Sequence, residues 1–211
     1  MSSETLAALC LFAIATSITP GPNNIMLLAS GVNFGLRRTL PHTLGISIGL
    51  CVLLLAVGLG LGFLFTAFPS LQVALKIVGS LYMLYLALRI ATSRSIKQSI
   101  KKADAQSGPD HAESTRSRPM TFLEAALFQW VNPKAWVMAI SGMSLYTNPA
   151  RPYGSMLAVA LIFSLLNWPS CSVWAVSGRT LRGFLFQPVR LKWFNIGMGV
   201  LLAASVVLLL K

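Results

Sequence analysis

The stretch "TPGPNN", residues 19–24, interrupts an apolar run that otherwise reads as one helix, with "LAALCLFAIATSI" before it and "IMLLASGV" after it. Pro20 and Pro22 each remove a backbone donor and clash with the preceding turn, and they push Thr19 and Gly21 away from helical angles. In water such a stretch would simply end a helix. Composition says that the solvent here is not water. Apolar residues make up 55% of the chain and charged residues 10%, with a mean hydropathy of +0.70, far from the balance of a soluble domain.

Apolar stretches long enough to cross a bilayer, which takes about 20 residues each, lie near residues 5–34, 39–66, 71–92, 120–147, 153–178 and 191–210. They predict an all-α membrane protein of six transmembrane helices. The first stretch resembles a secretory signal only in being apolar. It begins with Glu4 and no basic residue, and "PGPNN" stands where a small-residue cleavage site would be, so it is expected to remain as a helix.

The net charge of +12 looks like a polyanion-binding signature until the basic residues are placed along the chain. Most fall in alternate connections: Arg37 and Arg38 between the first and second helices, a run from Arg89 to Arg118 between the third and fourth, and Arg179, Arg182, Arg190 and Lys192 between the fifth and sixth. The opposite connections hold only Lys76 and Arg151. By the positive-inside bias both termini face outward. The charge therefore reports topology, with no nucleic acid as partner.

Residues 93–119 form a basic, polar linker with too little apolar surface to offset the cost of ordering. It separates residues 1–92 from residues 120–211, three helices each. With the topology above, the two halves enter the membrane from opposite sides, as inverted repeats do in many secondary transporters. "FQWVNPKAW", residues 128–136, breaks the fourth helix at Asn132, Pro133 and Lys134 as "TPGPNN" breaks the first.

A helical proline leaves the carbonyl four residues earlier without its partner, here Thr16, Ile18 and Gln129, with Leu165 freed by Pro169 in the fifth helix. In hydrocarbon such irregular backbone survives only where protein or a water-filled cavity surrounds it. The half-helix after each break also starts with unpaired N–H groups suited to a carboxylate. Matched breaks therefore predict a binding site built from Thr19, Pro20, Gly21, Pro22, Asn23 and Asn24 of the first helix. Gln129, Asn132, Pro133 and Lys134 of the fourth join them, with Asn167 of the fifth as a third wall.

These motifs resemble the lysine-exporter (LysE/RhtB) family: "TPGPN" at 19–23, "FGLRRTLPHTLGISIG" at 34–49, "GSLYMLYLALR" at 79–89 and "FQWVNPKAW" at 128–136, in family order over nearly the whole chain. The resemblance implies a six-helix exporter of amino acids or close derivatives in the bacterial inner membrane, driven by an ion gradient. It is most like the branch with cysteine and O-acetylserine exporters. Where relatives often carry "YLxxLG" this chain has Ala87 in place of the glycine, which predicts a tighter restriction on helix approach there.

Other chemistry finds little support. Cys10, Cys51 and Cys171 form no Cys-x-x-Cys pair and read as apolar packing. His42 and His111 fall in separate connecting regions, which leaves no metal site, and no phosphate-cradling Gly-x-x-x-x-Gly-Lys occurs. Neither an enzyme nor a cofactor is expected. Gly45 and Gly49 make a Gly-x-x-x-Gly stripe that reads first as packing inside the bundle and second as a homodimer contact.

A zwitterionic substrate would present its carboxylate to the half-helix N–H groups and Lys134. Its ammonium would go to the freed carbonyls near Thr16, Ile18 and Gln129 and to Asn amide oxygens. Glu124 is the one acid within a spanning stretch and the candidate for coupling, its alternative role being an interfacial residue at a helix N-terminus. The expected function is secondary export by alternating access between the halves. The rival is a passive channel or a non-transporting scaffold.

Overall fold

The computed structural model describes residues 1–61, 67, 69–93 and 118–210, and all regular elements among them are helices. α1 (Ser3–Ile18) starts at Ser2, whose hydroxyl accepts the Thr5 N–H at 3.2 Å, and stops at Thr19, which is extended. After Gly21, also extended, α2 (Pro22–Phe34) opens with proline in its first turn, where the missing N–H costs nothing. The two helices meet at 59°. Gly35 then reverses the chain with φ of 78°, a left-handed value that favours glycine, and its N–H closes on the Gly31 carbonyl at 3.0 Å.

α3 (Leu36–Ala56) passes into a π-helical turn at Val57–Leu61. α4 is Pro69–Ala91. A second broken pair follows: α5 (Phe122–Phe128), a turn in which the N–H groups of residues 129–132 each bond to the carbonyl three residues back, and α6 (Pro133–Tyr146), capped by the Asn132 side chain. α7 (Pro152–Leu181) and α8 (Pro188–Leu210) complete the chain.

Three helices among the described residues are long and apolar enough to cross a membrane, Leu36–Leu61, Pro152–Leu181 and Pro188–Val207, and α1 with α2 makes a fourth as a bent pair. The other two apolar stretches read from the sequence correspond to α4 and to α5 with α6. Side chains such as Leu11, Val52, Leu84, Leu161 and Val200 stay apolar though exposed, as on helices that face hydrocarbon. Most of the 93–119 linker, with His111, lies outside the described residues; only Ser93, Arg118 and Pro119 at its ends are within them.

α7 is the central post. α1, α2, α3 and α6 pack against it, α5 and α6 pack against α3, and α4 pairs with α8. Backbones approach closely where glycines allow it. A Cβ at Gly31 would collide with the Ala175 carbonyl and one at Gly178 with the Leu28 carbonyl, which fixes α2 against α7. Gly45 and Gly49 meet the backbone of Phe122 and Ala126 in the same way, so the small-residue stripe is spent on packing α3 against α5. Ala87 does not hold α4 away from its neighbour, contrary to expectation. Gly199 of α8 sits against the Ala87 carbonyl, the missing glycine being supplied from the other side of the contact.

Candidate functional site

The two breaks meet. Asn23 at the start of α2 and Gln129 at the end of α5 exchange amide hydrogen bonds, Asn23 Nδ2 donating to Gln129 Oε1 at 2.9 Å and Gln129 Nε2 to Asn23 Oδ1 at 3.3 Å. Lys134, in the first turn of α6, donates from Nζ to the Thr19 carbonyl at 2.5 Å and to Thr19 Oγ1 at 2.9 Å. Asn24 donates from Nδ2 to the carbonyls of Ser17 and Thr19, both at 2.8 Å. The irregular backbone between α1 and α2 is thus held by side chains.

The third wall comes from α7. Asn167 Nδ2 donates to Ser17 Oγ of α1 at 3.0 Å, and Ser47 Oγ of α3 donates to Asn167 Oδ1, also at 3.0 Å. All three are buried. Buried polar groups are almost always hydrogen-bonded, because each unmet donor or acceptor costs about 1–3 kcal/mol. Asn24 Oδ1 is an exception: it is buried with no hydrogen-bond partner among the described residues.

Ser17, Gly21, Asn23, Asn24, Gln129, Asn132, Lys134 and Asn167 line one cavity, floored by Leu50, Met138 and Cys171. About 20 Å³ is open to the centre of a water, enough for one such molecule and too little for an amino acid. Thr19, Pro20, Pro22 and Pro133 shape the breaks without lining it. Ser17, Ser47 and Cys171 were not expected at the site. A serine just ahead of "TPGPNN" and another on the glycine stripe are the signals the sequence offers for the first two.

The helix starts differ. The N-terminus of α6 is satisfied by its own Asn132, whose Oδ1 accepts the Lys134 N–H at 3.1 Å. That of α2 has glycine at the cap and no side-chain hydrogen bond, so its first N–H groups are uncapped beside the cavity that Gly21, Asn23 and Asn24 line.

Two expectations change. The freed carbonyls are not left unpaired, each already accepting a hydrogen bond: Thr16 O accepts Thr19 Oγ1 at 2.8 Å, Ile18 O accepts Trp174 Nε1 at 3.0 Å, and Gln129 O accepts the Asn132 N–H at 3.4 Å. Each proline break is short enough for neighbouring donors to reach. His42, expected in a connection, lies inside α3 and is buried. Glu124, read as a coupling candidate or as an interfacial residue at a helix N-terminus, stands at that N-terminus and outside the cavity. It closes a capping box with Thr121 at the start of α5 and grips Arg118 through both oxygens, at 2.6 and 2.8 Å.

A model of the LysE type translocator family matches residues 14–211. The chain is 29% identical over 180 residues, 84% of each protein, to a cysteine/O-acetylserine efflux protein of Salmonella choleraesuis. It is 26% identical over 204 residues, 96% of this chain and 95% of the relative, to the protein of that name from Escherichia coli. No solved structure matches it. A translocator family moves solutes and catalyses no covalent chemistry, in keeping with a site of amides, hydroxyls and one lysine. With the match running through both helix breaks and every helix after them, the chain belongs to the LysE type translocator family.

Proposed function

We propose that the chain exports a small amino acid, of the size of cysteine or O-acetylserine, from the bacterial cytoplasm by alternating access, in exchange for protons. The observation that carries this reading is the joining of two broken helices, from opposite halves of the chain, around one cavity lined by amide, hydroxyl and lysine side chains. The relatives named for cysteine and O-acetylserine efflux support the substrate class.

The helix pairs support two repeats, residues 1–92 and 120–211. The first broken helix packs on α7 as the second packs on α3, and α4 pairs with α8. A pseudo-twofold axis would exchange these contacts, the arrangement from which rocking of one repeat against the other gives access to each side in turn. The basic connections gather at one end, where Arg37, Arg179 and Arg182 border a single hollow. That end is the cytoplasmic one on the positive-inside bias, with both termini outside.

In the substrate complex, the carboxylate sits at the uncapped N-terminus of α2, with Lys134 turning to it from Thr19. The ammonium goes to Asn24 Oδ1, a buried acceptor left unmet among the described residues. A cavity with room for one water has to widen to take an amino acid, so the closed arrangement is the occluded one.

Vesicles containing the purified protein and loaded with labelled cysteine or O-acetylserine test this. Efflux is expected to saturate with internal concentration and to speed up when the outside is made acidic. Flux that neither saturates nor responds to the proton gradient would instead make the protein a channel.

A further inference from the structure

A second cavity, of about 50 Å³ open to the centre of a water and partly open to the surface, lies at the other end of α2, lined by Ser30, Asn33, His42, Arg89, Ser93 and Arg118 among others. Most of these polar groups are matched. Ser30 pairs with Thr39 at 2.8 Å, Asn33 exchanges amide bonds with Asn195 of α8 at 2.7 and 3.0 Å, Arg89 donates to the Arg118 carbonyl at 2.9 Å, and Arg118 is held by Glu124.

His42 is different. It is 1% exposed, and neither Nδ1 nor Nε2 has a hydrogen-bond partner among the described residues. A histidine kept for structure normally donates one ring N–H to a carbonyl or carboxylate. Here His42 and Ser93, whose Oγ is equally unmatched among the described residues, both line a space large enough for water.

We infer that His42 is the residue that carries the proton exchanged for the amino acid, releasing it through this cavity at the basic end of the bundle. The inference rests on the export reading above. It takes the role for which Glu124, held in a capping box and an ion pair with Arg118, was the candidate in the sequence.

The charged groups around His42 among the described residues are Arg89 of α4, Arg118 of the segment before α5 and Glu124 of α5; α2 contributes the neutral Ser30 and Asn33. Glu124 favours a charged imidazole and Arg89 opposes it more weakly, so the cost that remains is burial. A proton on the imidazole therefore places a cation out of water. Opening that hydrates the cavity relieves that cost. Protonation then favours opening toward the basic face, where the proton leaves and the amino acid enters. The proton is bound while the empty protein faces outward, one per cycle, and no other bond is made or broken.

The two cavities are mechanically joined. α2 lines the first with Asn23 and Asn24 and the second with Ser30 and Asn33, and α3 lines them with Leu50 and His42. Asn24 and Asn33 are separated along one rigid helix by roughly 14 Å. A tilt of α2 therefore changes both at once.

The test is His42→Gln in vesicles, with wild type alongside and labelled O-acetylserine as the probe. Gradient-driven efflux should fall about tenfold, to the rate seen without a gradient, while exchange of labelled for unlabelled O-acetylserine stays within about twofold of wild type. Gradient-driven efflux retained in the variant overturns the inference, and so does loss of exchange, which would make His42 a binding or structural residue. If His42→Gln fails to insert, the wild-type protein still decides: O-acetylserine binding in weakly buffered detergent should release protons, and no release overturns the proposal. Wild-type vesicles that move no amino acid sink the export reading instead.

Discussion

Lys134 and Asn24 occupy opposite positions in the energetics of the site. Lys134 already has two acceptors on Thr19, and handing its ammonium to a substrate carboxylate replaces neutral partners with a charged one. Hydrogen bonds to charged groups are worth about 1.5–3 kcal/mol, so Lys134→Met should raise the half-saturating concentration roughly 10- to 100-fold or stop export. Lys134→Arg keeps the charge but brings a planar fork into a space shaped for a point cation, and should recover only part of the affinity. Glu124→Gln makes the contrast. It removes the charge of the partly exposed Arg118 ion pair while glutamine can still close the capping box, costing at most about 1 kcal/mol of stability, and leaves substrate binding unchanged. Equilibrium binding of labelled O-acetylserine to the purified variants measures both. Lost affinity in the glutamate variant with full affinity in the lysine variant would move the recognition site to the inner end of α5.

At the scale of the element, the break between α1 and α2 holds a chain that would otherwise run straight. Pro20→Ala together with Pro22→Ala restores two backbone donors, so the helix can close across residues 19–24 and straighten the 59° bend. The variant should insert at wild-type level yet export nothing; normal export would reduce the prolines to packing kinks. The contact between α2 and α7 makes a separate prediction. Gly31→Val drives a side chain into the Ala175 carbonyl, and since backbone cannot step aside as a rotamer can, the change should cost about 1–3 kcal/mol or more. Thermal unfolding in detergent would show it as a lowered midpoint, with an equivalent loss for Gly178→Val against the Leu28 carbonyl.

For the whole molecule, the prediction is topological: with the basic connections inside, Ser2→Cys in a variant lacking the native cysteines should react with a membrane-impermeant maleimide on intact cells, and Arg37→Cys should not. The reverse labelling pattern would invert the direction of every step proposed above. The membrane class, the apolar stretches, both proline breaks and the polar residues around them were legible in the chain because each rests on local physics: hydropathy, a missing N–H, the spacing of Pro22 and Pro133. The tertiary structure decided which of those residues meet. Ser17 and Ser47 join the site only because α1, α3 and α7 bring them to Asn167, and His42 is buried only because α2, α4 and the segment before α5 close over it. The freed carbonyls show the same division. Counting four residues back from each proline finds them, but Trp174 reaches Ile18 from 156 positions away, a distance in sequence over which no periodicity or motif carries information.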